Sequence, residues 1–223
     1  MEMKVIAHIR TDFGEKFGIP RQSGLAPTRG RIVFLPQYRD ANALRGLEGF
    51  SHLWLLWQFS ETMRDDWLPM VHPPRLGGNT LMGVFATRSP YRPNAVGLSS
   101  VRLEEIVFDE KDGPVLIVSG ADILDGTPIF DVKPYLAYTD SHPDATGGFS
   151  DAVRDYRLKV EFPPALLEKI PAEKREALLE ILAQDPRPSY QDDPARRYGF
   201  RFSGVDVRFT VQNGVLTVCE IAE

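Results

Sequence analysis

The stretch Val96-Gly97-Leu98-Ser99-Ser100-Val101-Arg102-Leu103-Glu104-Glu105-Ile106-Val107-Phe108 is followed, after a short Asp/Gly-rich break, by Val115-Leu116-Ile117-Val118-Ser119-Gly120-Ala121-Asp122-Ile123. The first segment alternates, imperfectly, and the second is dense in β-branched residues. Both are signatures of strands rather than helices. Working outward, residues 3–9, 30–35, 50–59 (with Trp54 and Trp57) and 81–86 are further short apolar runs between Gly/Pro/Asn/Asp clusters. A helix is expected over 40–45. No segment alternates strand with helix as a doubly wound fold requires. The first 140 residues therefore read as a β-sandwich or barrel.

Beyond them, residues 140–155 are rich in Asp, Ser, Pro and Gly and read as a linker or exposed crossing. Residues 157–162 alternate as a strand. Pro163-Pro164 opens a helix, since proline is tolerated in the first turn. Pro171 ends that helix and starts another, whose apolar face is Leu178, Leu179, Ile181 and Leu182 and whose stop is Asp185-Pro186. Strands over about 200–211 and 215–221 flank Asn213-Gly214, a dipeptide that tolerates positive φ at both turn positions. The fold class is mostly β with an α+β appendage. Its expected units are residues 1–140, a linker at 141–156, and a small α+β domain at 157–223.

Of 223 residues, 43% are hydrophobic and 26% charged, ordinary for a globular chain. Formal charge is −5, which excludes a wholesale basic nucleic-acid binder. The total hides an asymmetry. Residues 1–103 carry 13 basic and 8 acidic side chains, and the remainder 13 and 23. The first half is thus a modestly basic region of an acidic protein, for which RNA binding is expected to be salt-sensitive. A single cysteine, Cys219, allows no internal disulfide or cysteine-rich zinc site and reads as packing in the last strand. The four histidines are dispersed, so no metal is expected. With neither signal peptide nor spanning segment, a soluble cytoplasmic protein is expected.

Four loops could carry chemistry. Thr87-Arg88-Ser89-Pro90-Tyr91-Arg92-Pro93-Asn94 follows an apolar run, and its prolines hold Arg88, Arg92 and Asn94 on a stiff frame. An arginine fork suits a carboxylate or phosphate. Asp125-Gly126 marks a turn before Asp131, Lys133 and Tyr135, whose alternation places all three on one strand face. Taken alone, that trio reads as a surface ladder. Gln184-Asp185-Pro186-Arg187-Pro188-Ser189-Tyr190 is a proline-stiffened loop after the last helix, and Gly18-Ile19-Pro20-Arg21-Gln22 is bounded by breakers. No Gly-x-Gly-x-x-Gly, P-loop or Gly-x-Ser-x-Gly pattern occurs, so the ordinary dinucleotide, methyltransferase and hydrolase fingerprints are missing.

At these loops the chain resembles the TrmO family, also called TsaA-like or YaeB. The likeness runs through Pro20-Arg21-Gln22, Leu47-Glu48-Gly49-Phe50-Ser51-His52-Leu53-Trp54, Pro73-Pro74-Arg75-Leu76-Gly77-Gly78-Asn79, the run from Phe85 to Asn94, Asp125-Gly126-Thr127-Pro128, Asp131-Val132-Lys133-Pro134-Tyr135-Leu136, and the segment from Leu182 to Tyr190. Ala95-Val96 stands where Pro-Ile is usual. The resemblance implies a small single-sheeted β-barrel that binds S-adenosylmethionine, usually in a homodimer. The implied reaction is N6-methylation of threonylcarbamoyladenosine at position 37 of tRNA, with the C-terminal domain helping to hold the tRNA. It also implies cofactor contacts from Pro20, Arg21, Gln22, Ser60, Glu61, Arg88 and Leu98, and from Asp122, Ile123, Leu124, Asp125, Gly126 and Thr127.

For that chemistry Asp131 is the first choice of general base, oriented by Tyr135 or Tyr190. Lys133 and Arg92 would neutralise the threonyl carboxylate, and Asn94 would fix the loop or the base edge. Two rivals use the same residues: a non-catalytic barrel that binds S-adenosylmethionine or RNA, and a methyltransferase with a substrate other than tRNA.

Overall fold

The computed structural model describes residues 2–61, 66–73, 76, 80–187 and 193–222. Six antiparallel strands close a barrel in the order β1-β2-β7-β6-β3-β8: β1 Ala7–Thr11, β2 Arg29–Phe34, β3 His52–Gln58, β6 Val96–Asp109, β7 Gly113–Ser119 and β8 Pro128–Pro134. Two-residue strands β4 (Met70–Val71) and β5 (Met82–Gly83) form a separate ladder. In β3 burial alternates strictly, so Leu53, Leu55 and Trp57 point into the barrel. Ile9, Ile32, Val101, Leu116, Val118 and Ile129 meet them from the other strands. Closure leaves no unpaired sheet edge.

Helix α1 (Ala137–Asp140) and a 3-10 segment lead from the barrel to the second sheet. There β10 (Tyr198–Phe202), β11 (Val205–Gln212), β12 (Val215–Ala222) and β9 (Lys159–Glu161) lie in that order, with β9 parallel to β12. The helical turn α2 (Pro164–Leu167) and helix α3 (Ala172–Ala183) accompany them. Leu178, Ile181 and Leu182 of α3 are buried in the same core as Phe200, Phe202 and Phe209. Among the described residues no helix is long and apolar enough to cross a membrane.

Several expectations shift. The first strand begins at Ala7 rather than residue 3, because its partner β2 runs out where Pro36 opens a 3-10 turn. Residues 81–86 give only a two-residue strand, since the partner β4 is equally short, and Val84–Ala86 turn as a 3-10 helix. The helix expected at 40–45 is a 3-10 turn, Ala41–Leu44, capped by the Asp40 carboxylate on the Asn42 amide. The single strand expected at 200–211 is two, split by Ser203-Gly204, both with positive φ. Cys219 is exposed, not packed. The β11–β12 register jumps from Arg208↔Glu220 to Phe209↔Val218, which leaves Cys219 as the extra residue of a bulge.

Candidate functional site

The barrel rim where β3 ends, β6 begins and the β7–β8 connection turns encloses a cleft of about 500 Å³. Five chain segments line it. They are the strap after β1 (Lys16, Ile19, Pro20, Arg21, Gln22), the end of β3 (Trp54, Trp57 to Glu61), the proline-stiffened loop (Thr87, Arg88, Pro90, Arg92), the start of β6 (Val96, Gly97, Leu98), and the turn bearing Asp122, Leu124 and Thr127.

The floor is built by one close approach. Trp57 faces Gly97 across the β3–β6 ladder, and a Cβ on Gly97 would fall 2.2–2.6 Å from the indole ring. Only glycine lets that ring lie against β6. The Trp57 Nε1–H then donates to Ser99 Oγ at 2.9 Å, and Ser99 Oγ donates to Asp122 Oδ1 at 2.6 Å. An indole can only donate and an ionised carboxylate can only accept, so the Ser99 hydroxyl has one orientation. Burial pushes the Asp122 carboxyl up from its ordinary value; the Ser99 hydrogen bond and the Arg88 charge pull the other way without cancelling it.

Other groups set the walls. Arg88 Nη1 donates to Gln22 Oε1, tying the proline loop to the strap. Arg92 Nη1 donates to the carbonyls of Val84 (3.0 Å) and Thr87 (2.6 Å), and its guanidinium lies 5.6 Å from the Phe85 ring centre. This arginine therefore braces its own loop. Lys16 Nζ reaches the Glu61 carbonyl at 2.9 Å and its carboxylate at 3.5 Å.

The expected residues divide. Pro20, Arg21, Gln22, Ser60, Glu61, Arg88, Arg92, Leu98, Asp122, Leu124 and Thr127 come together in the cleft. Ile123 is wholly buried in the barrel core. Asp125 shapes the turn by accepting from the Thr11 amide (3.0 Å) and pairing with Arg10 (3.6 Å), and Gly126 supplies a φ of 76° there. Asp131 and Lys133 pair at 3.0 Å on the outer barrel face, opposite Leu56 and Trp54. The Tyr135 ring lies 5.5 Å from that of Trp54, tilted by 50°. These three reach the cleft only through Trp54, whose indole donates to Asp140 at 2.8 Å. Asn94 is exposed outside the cleft. Tyr190, with part of the Pro73–Asn79 motif, lies outside the described residues. Trp57 and Ser99 were not anticipated; a glycine two residues before a serine in a strand is a faint signal until the register is known.

The donor set fits S-adenosylmethionine. Its adenosine needs apolar and aromatic walls, which Ile19, Pro20, Leu98, Leu124 and Phe59 offer. Its cationic end needs an acid, and its carboxylate a base, which Asp122, Glu61, Arg21 and Arg88 offer.

The tRNA-methyltransferase O N-terminal domain family matches residues 8–141, and the TrmO C-terminal domain family matches residues 155–223. A tRNA (adenine(37)-N6)-methyltransferase of Escherichia coli is 43% identical over 220 residues, covering 94% of this chain and 93% of that protein. A tRNA (adenine(37)-N6)-methyltransferase of Mus musculus is 39% identical over 143 residues, 61% of this chain and 31% of its own. A crystal structure of TrmO from Pseudomonas aeruginosa superposes with a TM-score of 0.78 at 37% identity, covering 100% of this chain and 99% of that one. The chain belongs to the TrmO family of S-adenosylmethionine-dependent tRNA (adenine(37)-N6)-methyltransferases.

Proposed function

We propose that the substrate nucleoside is threonylcarbamoyladenosine at position 37, beside the tRNA anticodon, and that its N6 receives the methyl group. The observation that carries this reading is the Asp131–Lys133 pair, which lies on the barrel face shared with Trp54, itself a cleft wall. A threonyl carboxylate arriving at Lys133 competes with Asp131 for the ammonium. Asp131, so released, takes the N6 proton, which belongs to a urea-like group and leaves poorly unaided. The cofactor, when bound, supplies an electrophilic methyl group, so the chain's own work is to orient and desolvate. Arg21, Gln22, Arg88, Leu98 and Asp122 hold the methyl donor in this reading. Tyr135 and Arg92 position Lys133's surroundings and the proline loop, and the basic half of the chain faces the RNA.

The working units in this reading are residues 1–140 and 157–223 joined by 141–156, acting in the cytoplasm as a homodimer. Trp67, Leu68, Met70, Leu81 and Phe85 support the dimer: all are exposed, and the Trp67 and Phe85 rings stack at 5.9 Å. An apolar patch of this kind marks a protein interface.

The test is methyl transfer to tRNA with and without threonylcarbamoyl at position 37, read as nucleoside mass. Transfer confined to the modified tRNA supports the reading, and equal transfer to both removes it. Light scattering of Phe85→Asp is expected to give a monomer; an unchanged mass removes the patch from the interface.

A further inference from the structure

The strap that walls the cleft belongs to two cores at once. Residues 12–26 leave the barrel after β1, yet Phe13 and Ala26 are buried among Leu182, Phe200, Phe202 and Phe209 of the C-terminal sheet and helix. Phe17 meets Phe200 edge-on at 6.0 Å. Gly18 has a φ of 90°, and a Cβ there would fall 2.3 Å from the Phe200 ring. Gln184, at the end of α3, donates to the Leu25 carbonyl at 3.0 Å. Lys174 of α3 reaches Asp12 Oδ1 at 2.6 Å.

The connection nearest the cleft runs through Arg21. Its Nη2 donates to the carbonyls of Asp185 (3.1 Å) and Arg187 (3.2 Å), the first residues of the proline loop after α3. Those carbonyls are held by a bidentate pair: Arg187 Nε to Asp185 Oδ1 at 2.8 Å and Nη2 to Oδ2 at 2.9 Å. Both side chains are nearly buried, 10% and 13% exposed. Burial opposes the charge on Asp185, but the Arg187 contacts outweigh it and hold its carboxyl below the usual range. Asp185 adopts a φ of 54°, a left-handed conformation that aspartate tolerates better than most residues other than glycine. Neither Asp185 nor Arg187 lines the cleft, whereas Arg21 does.

We infer that Asp185 and Arg187 are positioning residues for methyl-donor binding. Through the two carbonyls that seat Arg21, they fix the strap that forms one wall of the cleft. This rests on the reading that the cleft holds the methyl donor. It gives the Asp-Pro-Arg loop a task that needs no RNA: without it, the Arg21 side chain and the backbone from Pro20 to Ser23 lose their anchor on the C-terminal side.

Two measurements test it, both without tRNA. Titration calorimetry with S-adenosylhomocysteine is expected to show about tenfold weaker binding for Asp185→Asn and Arg187→Lys, the loss of a charge-assisted contact. Hydrogen exchange of the cofactor-free protein is expected to show the strap amide of Gly24, which donates to the Gly120 carbonyl at 2.9 Å, exchanging at least about tenfold faster. If either variant fails to fold, Arg21→Met carries the test through its exchange arm alone, because it leaves the Asp185–Arg187 pair intact, removes the Nη2 that donates to both carbonyls, and alters a side chain that itself lines the cleft. Unchanged exchange overturns the inference. Faster exchange with unchanged affinity is decided by Arg88→Ala, a cleft residue that bonds Gln22 from the loop after β5. If Arg88→Ala weakens binding, the positioning inference is overturned; if it does not, the assignment of the methyl donor to this cleft fails instead.

Discussion

The barrel is a closed antiparallel sheet and the C-terminal module an open sheet with one parallel pair, and their cores are assembled differently. The barrel core is filled by its own strands, with small branched side chains such as Ile9, Ile32, Leu55 and Val118. The C-terminal core is aromatic and incomplete without borrowed residues: Phe13 and Ala26 come from the strap after β1. A closed sheet has no edge and no open face, so it can be self-sufficient. An open four-stranded sheet with one helix leaves apolar surface that another segment must cover. The segment that covers it here also walls the cleft, so the stability of one module and the shape of the other's site share a set of residues.

The largest expected effect breaks that sharing. Phe13→Ala removes a fully buried ring, a change of about 3–5 kcal/mol. Amide protection is expected to fall in β10–β12 and to persist in β3 and β6; loss confined to the barrel would show the core assignment to be wrong. Gly97→Ala attacks the barrel side. With a Cβ driven into the Trp57 ring, a destabilisation of about 1–3 kcal/mol is expected. Loss of the Trp57–Ser99 contact should also shift tryptophan fluorescence, and an unchanged spectrum would contradict the floor geometry.

Asp122 gives a subtler test. Because its carboxyl lies above the ordinary value, it takes up a proton at higher pH than an exposed aspartate and loses its negative charge first as pH falls. Affinity for a cationic cofactor is therefore expected to decline from the upper part of the carboxylate range downward. In Asp122→Asn that step should be absent, with affinity about tenfold lower at neutral pH. A retained step would assign the titration elsewhere. The smallest effect is at Cys219. Exposed at a bulge, it should react with a thiol reagent in the folded protein, and Cys219→Ser should change stability by less than about 0.5 kcal/mol.

Strand periodicity was legible in β3 and in the first half of β6, where burial alternates; β7 was legible from its β-branched run, though the strand ends at Ser119 and not at Ile123. The Asn213-Gly214 hairpin was legible from turn chemistry, while Ser203-Gly204 was passed over and two strands merged. Boundaries failed where a partner's length decided them, at β1 and β5. The cleft's wall residues Pro20 to Gln22 and Arg88 were legible through family likeness. The Trp57–Ser99–Asp122 chain was not, because it depends on cross-strand register between residues 23 to 65 positions apart. Nor was the strap's double allegiance: Phe13 and Phe17 look like ordinary apolar letters until Phe200 and Phe202 are placed against them.

The central claim is that the rim cleft holds the methyl donor. It is met most directly by titrating S-adenosylhomocysteine into the wild-type protein, Arg88→Ala and Asp122→Ala, with thermal unfolding as the control for integrity. Binding weakened by about tenfold or more in both variants, with little change in Tm, is the predicted result. Wild-type affinity in both would place the cofactor elsewhere and contradict the account.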